Sequence, residues 1–283
     1  MTERLALAAP QPRRFPMALI VGGTIVFIVI AVAVLSLVWT PGDAITVAVA
    51  ERFQPPSPVH WLGTDRLGRD VASEIMVGAR NSLSVALIAV AIGIAIGIPL
   101  GLAAASTQDW RDAVILRSTD LLFAFPALVM AIMITALLGP GAVNAMIAIG
   151  IFNVPVFTRV ARGAALRVWQ QDYVLAARIA GKGRVRISVE HVLPNVLNTL
   201  LVQATIQFSL AVLAEAALSY FGLGTQPPAP SWGKMLADAQ TLIDIAPLLA
   251  VIPGLAILIT VLALNLTGDG LRDFLDPRLR RLR

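Results

Sequence analysis

The sequence predicts an all-α, polytopic membrane protein with about six transmembrane helices. Of its 283 residues, 57% are hydrophobic and only 14% are charged, and the mean hydropathy is +0.80. A soluble domain carries charge on about a quarter of its residues, so this composition belongs to the membrane class. Six uncharged runs of at least 17 residues are each long enough to cross a bilayer as a helix.

The six runs define the predicted spans. They are Met17–Val38, Ser82–Ala105, Leu121–Leu138, Ala142–Thr158, Val196–Ala214 and Ile245–Thr267. The first run follows Arg13-Arg14 and resembles a signal peptide, but its 22 apolar residues exceed a usual signal core and no small-residue cleavage site follows closely. Two prolines in the last run, Pro247 and Pro253, predict a kink there.

The positions of Lys and Arg predict the orientation. The predicted cytoplasmic segments are 1–16, 106–120, 159–195 and 268–283, and the predicted outer segments are 39–81 and 215–244. The first set holds 17 basic residues and the second holds five. This asymmetry places both termini in the cytoplasm. Residues 82–267 then form a five-helix core that contains the largest inner loop, 159–195.

Several classes of function are excluded by missing residues. The chain has no cysteine, and its two histidines, His60 and His191, are far apart, so we expect no metal site and no thiol chemistry. Neither a phosphate-binding loop nor a Ser/His/Asp set occurs. The formal charge of +5 does not indicate nucleic-acid binding, because no basic face with interleaved aromatic residues is present. We therefore predict a non-catalytic chain that binds no cofactor of its own.

Small residues and one acid stand out within the spans. Three glycines recur every fourth residue in the second run and predict close packing of another helix, namely Gly93, Gly97 and Gly101. Glu215 follows 19 uncharged residues. Inserting a carboxylate at the centre of a span costs about 2.5–3.5 kcal/mol of free energy, so a buried Glu215 would be a candidate for a translocation path or proton relay. The alternative, which its position near the end of the run favours, is a site at the outer interface.

The outer segment HWLGTDRLGRD combines turn residues with charges. Glycines at 63 and 68 permit positive φ, and Asp65 can cap a turn. An amphipathic helix follows from Asp70. No nucleophile or metal ligand accompanies the two acids, so we predict a structural or docking motif rather than a catalytic pair. Its residues are Gly63, Thr64, Asp65, Gly68, Arg69 and Asp70.

The inner loop contains a short predicted helix. Asp172 is a suitable N-cap and Gly181 a suitable C′ residue, with about two turns between them. One face would consist of an aromatic and small residues, namely Tyr173, Ala176, Ala177 and Ala180, while Arg178 lies off it. A helix this short is marginal alone and needs packing. We expect this face to fit a groove on a partner protein; the alternative is a helix on the membrane surface.

Four stretches resemble a known family. YVLAARIAGKGRVRISVEHVLPN is similar to the EAA loop of permease subunits of binding-protein-dependent ABC importers. HWLGTDRLGRD, LSYFGLGTQPPAPSWGKML and NLTGDGLRDFLDPRLR resemble the C-type permease of the dipeptide/oligopeptide/nickel branch. Together they cover most of the chain from residue 60 onward.

The resemblance implies a type I ABC importer permease fold in the bacterial inner membrane, in contact with lipid. It implies half of a translocation pore for peptides and three kinds of protein partner: a second homologous permease, two ATPase subunits or a fused pair, and an extracytoplasmic substrate-binding protein. ATP and Mg²⁺ would bind to the ATPases. The residues implied in coupling to them are Asp172, Tyr173, Ala176, Ala177, Arg178, Gly181, Glu190, His191, Pro194 and Asn195.

Two points remain open in the sequence. Leu175 occupies a position where the family often has the Glu of its EAA motif. An ion-driven secondary transporter, with Glu215 as its coupling residue and no ATPase, is the alternative function.

Overall fold

The computed structural model describes residues 16–275, and the regular elements of this range are helices. The α-helices are α1 (Met17–Leu35), α2 (Val71–Thr107), α3 (Trp110–Phe123), α4 (Ala127–Leu138), α5 (Ala142–Trp169), α6 (Asp172–Ile179), α7 (Arg184–Ile187), α8 (Leu193–Tyr220), α9 (Trp232–Ala239) and α10 (Leu248–Leu275). A π-helical turn, Ser188–Val192, joins α7 to α8. The predicted tail 1–16, apart from Pro16, and residues 276–283 of the other tail lie outside the described range.

Five helical stretches of the described range are long and apolar enough to cross a membrane. They are α1, α2, α5, the stretch Arg184–Tyr220 and α10. The pair α3 and α4 passes the same criteria together but bends by 85° at its break. Counting this pair as one broken span gives six, so the prediction of an all-α protein with about six transmembrane helices is confirmed.

The third predicted span is not a straight helix from Leu121 to Leu138. Leu121 belongs to α3, and the chain turns at Pro126, which precedes the 12-residue α4. Proline has no N–H to donate and disfavours helical backbone in the residue before it, so the helix breaks here. Pro247 also precedes its helix, and only Pro253 lies inside α10.

Helix α2 occupies the centre of the bundle and packs most extensively against α5. The three glycines that recur every fourth residue form the contact. A Cβ at Gly93 would lie 2.5 Å from the Asn153 Cβ, and one at Gly97 would lie 2.6 Å from the Val154 carbonyl oxygen. At Gly101 it would lie 2.5 Å from the Thr158 carbonyl oxygen. The two backbones therefore approach at a distance that a larger residue would prevent.

The bundle has two ends that carry different structures. We call the end with α6 and α7 the loop end, and the end with the α1–α2 connection and α9 the opposite end. A separate hydrophobic cluster lies at the loop end and joins α6 to the ends of the long helices. Its buried residues are Leu102, Ala105, Ala161, Ala164, Ala165, Val174, Ala177, Ile187, Val192, Val196 and Leu200.

Candidate functional site

Helix α6 ends in the turn that the sequence predicts. Gly181 has φ of +81°, in the left-handed region that favours glycine. Its N–H donates to the Arg178 carbonyl at 3.0 Å, and the Lys182 N–H donates to the Ala177 carbonyl at 3.1 Å. These two bonds form a Schellman motif and satisfy carbonyls that the helix end leaves free.

The start of α6 differs from the prediction by one residue. Gln171 is the N-cap residue and makes no side-chain capping bond, whereas Asp172 is the first helical residue. Asp172 is therefore not the N-cap. Its carboxylate lies in the first turn, where it interacts favourably with the positive end of the helix dipole.

The predicted small-residue face of α6 is divided between the protein interior and the surface. Ala177 is buried and packs with Val174 into the cluster at the loop end. The other members of that face are exposed, namely Tyr173, Ala176 and Ala180. Ala177 is therefore not available to a partner, because the helix uses its Val174 side to pack against its own chain, and the prediction that this face fits a partner's groove applies to the three exposed residues alone.

The exposed side of the loop carries several large apolar side chains. Leu175 and Ile179, one turn apart on α6, are 54% and 80% exposed. Val185 and Val189 repeat this spacing in the following turns. We call the following residues the loop patch: Leu175, Ile179, Val185 and Val189. Four basic residues accompany it in the sequence, namely Arg178, Lys182, Arg184 and Arg186. Large apolar side chains left exposed outside the predicted spans are typical of a protein contact surface.

An ionic network holds this loop on the base of α8. The Glu190 carboxylate accepts from Lys182 Nζ at 2.7 Å and from Arg186 Nε at 2.6 Å. The hydrogen bond from Lys182, followed by that from Arg186, makes the largest contribution and lowers the pKa of Glu190 to about 2. Its carboxylate is therefore ionised at neutral pH. Lys182 Nζ also lies 3.1 Å from His191 Nε2, and the ring of His191 packs edge-on against that of Tyr173.

The remaining predicted coupling residues belong to the junction with α8. Asn195 Nδ2 donates to the His191 carbonyl oxygen at 2.7 Å, and Pro194 lies in the first turn of α8. Pro194 directly follows the π-helical turn, whose last bond runs from the Leu193 N–H to the Ser188 carbonyl oxygen, so the proline lies where the regular α-helical bonding is already interrupted. The predicted residues from 190 to 195 therefore lie together with α6, and their contacts in this chain fix its position.

At the opposite end, the predicted outer motif forms a turn closed by its own side chains. Gly63 and Gly68 have φ of +79° and +78°. Asp65 Oδ1 accepts two backbone N–H groups at 2.8 Å. The Arg69 guanidinium lies 2.6 Å from Asp65 Oδ2 and 2.9 Å from Glu74 Oε1. The carboxylate of Asp65 is therefore occupied by neighbours from the same segment.

The second half of the motif starts α2. Asp70 is the N-cap and accepts from the Ser73 N–H at 2.8 Å and the Ser73 hydroxyl at 2.7 Å. His60 Nδ1 lies 3.0 Å from the other Asp70 carboxylate oxygen. The Thr64 hydroxyl accepts from the Gln54 N–H at 2.8 Å. These contacts give the motif a structural role in shaping the α1–α2 connection.

The sequence analysis did not predict helix α9, which packs against the segment that carries this motif. Asp238 binds Arg66 at 3.0 Å and Lys234 at 2.8 Å. Trp232 is buried, and its indole N–H donates to the Ile75 carbonyl at 3.1 Å. The available signal was the pattern SWGKMLADA, in which a serine N-cap precedes an amphipathic turn.

Glu215 is completely buried within the chain. Ser219 Oγ donates to its Oε1 at 2.7 Å, and the side chains of Ser82, Thr225 and Ser231 lie close to the carboxyl group. The structure therefore gives Glu215 no exposed surface, either on a path or at the interface. Among the described residues, its second oxygen, Oε2, has no hydrogen-bond partner.

Two ion pairs between α3 and α5 were also not predicted. The Arg162 guanidinium forms two bonds of 2.6 Å to the carboxylate of Asp112. Arg159 pairs with Asp120 nearer the surface. Within residues 16–275, no group of three or more His, Asp or Glu side chains is arranged to hold a metal ion.

Comparison with known proteins identifies related chains. The family model described as binding-protein-dependent transport system inner membrane component matches residues 97–281. The dipeptide transport system permease protein DppC of Alkalihalophilus pseudofirmus is 42% identical over 92% of this chain and 86% of its own. The glutathione transport system permease protein GsiD of Pectobacterium atrosepticum is 41% identical over 92% and 87%.

Among solved structures, an inward-facing conformation of the MetNI methionine ABC transporter has a similar fold. The TM-score is 0.59, and the match covers 74% of this chain and 95% of that one. The sequences are 18% identical, so this likeness concerns the fold alone.

Proposed function

Because the chain belongs to the family of binding-protein-dependent transport system inner membrane components, it is a permease component of an ABC importer, and we propose that it imports peptides and is driven through its loop patch. Its fold is that of a type I ABC importer permease. The observation that carries the coupling proposal is the exposed apolar surface at Leu175 and Ile179, outside the predicted spans.

The loop patch suits a groove on an ATPase subunit. Its side chains are large and exposed, so a partner that covers them removes apolar area from water, at about 25 cal/mol per Å². Lys182 and Arg186 are paired with Glu190, so the exposed Arg178 and Arg184 are the basic residues that would match an acidic rim of the groove. The assembly would contain a second permease, two ATPases or a fused pair that bind ATP and Mg²⁺, and an extracytoplasmic substrate-binding protein.

A displacement of the loop patch would be transmitted to the membrane-spanning helices through the buried side of α6. Val174 and Ala177 pack with Leu102 of α2, Ala161 of α5 and Val196 of α8. Closely packed side chains transmit a displacement rather than absorb it. Closure of the ATPases would therefore shift the loop ends of three long helices together. The chain itself carries out no covalent step.

The proposed orientation has the loop end in the cytoplasm. The distribution of basic residues in the sequence supports it, because the segment from 159 to 195 alone holds seven of the 22. Both termini would then be cytoplasmic, in the inner membrane of a bacterium.

The proposed cargo is a small peptide. The relatives include a dipeptide permease and glutathione permeases, and glutathione is itself a modified tripeptide.

The alternative of an ion-driven secondary transporter depended on Glu215 as a coupling residue. Its full burial under hydroxyl groups does not support that role.

Substitution of Ile179 tests the coupling proposal. This side chain is 80% exposed, so Ile179→Asp leaves the fold intact while placing a charge in the apolar contact. We expect the importer to lose most ATP-driven peptide uptake, and its ATPase to be lost during purification. Val49→Asp, at an exposed valine of the opposite end, is the matched control and should transport normally. Normal uptake with a stoichiometric ATPase in Ile179→Asp would contradict the proposal.

A further inference from the structure

An uncharged surface lies beside the end of α1 at the opposite end of the molecule. Its residues, which we call the Trp patch, are Leu37, Val38, Trp39, Val59 and Trp61. Val38 is 84% exposed and Val59 is 72% exposed. The two indoles are about half exposed and pack against each other, with ring centroids 6.1 Å apart. The patch thus combines residues from two separate parts of the α1–α2 connection.

Helix α1 fixes the depth of this patch relative to the bilayer. Its 19 residues are strongly apolar, and only 11% of its most hydropathic window is buried by the rest of the chain. At 1.5 Å per residue its length is roughly 28 Å, close to the hydrocarbon thickness of about 30 Å. Trp39 follows four residues after the helix ends, so it lies at the boundary between hydrocarbon and water.

The contact with Trp39 brings Trp61 to the same depth. Trp61 follows a tight turn in which the Ser57 N–H donates to the His60 carbonyl at 2.8 Å. The His60 side chain in turn contacts Asp70, which caps α2, at 3.0 Å. The position of Trp61 is therefore coupled through His60 to the start of α2.

Two charged groups lie beside the patch, since Arg80 Nη1 lies 3.5 Å from the Ser36 carbonyl oxygen and Glu51 Oε2 lies 3.7 Å from His60 Nε2, while three more make their contacts elsewhere. Arg66 and Lys234 bind Asp238 of α9, and Arg69 binds Asp65 within its own turn. The five residues of the Trp patch carry no charge. Indole rings combine an apolar body with one N–H donor and are enriched at the membrane–water interface for that reason.

We propose that the Trp patch binds the lipid surface. Trp39, Val59 and Trp61 insert at the headgroup level of the leaflet next to the end of α1, and the segment between them folds onto the membrane. Through His60 and Asp70, this anchor holds the first turn of α2 at a fixed depth. The proposal depends on α1 spanning the bilayer and not on the proposed cargo or ATPase contact.

Spin labels on single cysteines test this anchor, because the natural chain has no cysteine to remove. The full chain carries Val59→Cys, Trp61→Cys or Arg52→Cys and is reconstituted in vesicles of phosphatidylcholine and phosphatidylglycerol. Collisions of each label with oxygen, which concentrates in lipid, are compared with collisions with a water-soluble nickel chelate. Arg52 is the control, since it is an exposed charged residue of the same connection.

We expect the ratio of oxygen to nickel collisions to be several-fold higher at 59 and 61 than at 52. Val59→Cys retains both indoles, so the test remains valid if Trp61→Cys does not fold. Equal ratios at all three positions would show that the patch faces water and would overturn the proposal. Protection of 59 from both reagents would also overturn it, because a protein then covers the patch.

Discussion

At the scale of single residues, Leu175 departs from the EAA motif in the sequence and belongs to the loop patch in the structure. The resemblance to the EAA loop implies an acid at this position, whereas Leu175 is apolar, 54% exposed and one turn from the exposed Ile179. The left-handed turn at Gly181 was predictable, because a glycine after a short helical pattern indicates a C′ residue. The buried side of α6 was not predictable. An alanine-rich helix has two similar small faces, and only the tertiary contacts of Val174 decide between them.

Substitution of two glycines in the same loop separates backbone conformation from side-chain bulk. A residue with a Cβ at Gly181, where φ is +81°, is strained by roughly 1–2 kcal/mol. We expect Gly181→Val to insert in the membrane normally but to lose most uptake, because the end of α6 is distorted. Gly183 has φ of −70°, and an added Cβ there would meet no atom within 4 Å, so Gly183→Val is the matched control. Equal uptake by the two variants would refute this account of the turn.

At the scale of elements, long apolar runs predict helices well but describe their ends poorly. Helix α2 begins at Val71, eleven residues before its uncharged run, because Asp70 caps it in a polar segment. The break at Pro126 falls inside an uncharged run and was hidden by the hydropathy pattern. Proline composition alone could not reveal it, since Pro155 and Pro253 both lie within continuous helices.

The contact between α2 and α5 predicts opposite effects for two glycine-to-alanine changes. Alanine is favoured over glycine in a helix interior by about 1 kcal/mol. At Gly163, with no atom within 4 Å of an added Cβ, we expect Gly163→Ala to leave the melting temperature in detergent unchanged or raised. At Gly97 the Cβ would lie 2.6 Å from a backbone oxygen of α5, so Gly97→Ala should lower it. A melting temperature of Gly97→Ala at or above that of the unmodified chain would contradict this packing.

At the scale of the whole molecule, the sequence predicts the membrane class and the number of spans because both depend on run length and composition. The buried cluster around Glu215 depends instead on residues distant in sequence. Ser82 and Ser231 come together only after α2, α8 and the start of α9 have packed. For the same reason, the ion pair that joins Arg66 to Asp238 across 172 positions has no local signal. Such tertiary contacts explain why the sequence alone could not place Glu215 in the interior of the chain.

Photo-crosslinking at position 179 tests the central proposal most directly. A photoreactive amino acid replaces Ile179 in the full importer, and the membranes are irradiated before the crosslinked subunit is identified by mass. We predict an adduct with the cytoplasmic ATPase subunit, and none with that subunit when the photoreactive residue replaces Val49 at the opposite end. If position 179 crosslinks only to lipid, the proposed coupling surface is contradicted. If it crosslinks to an extracytoplasmic protein, both the coupling surface and the proposed orientation are contradicted.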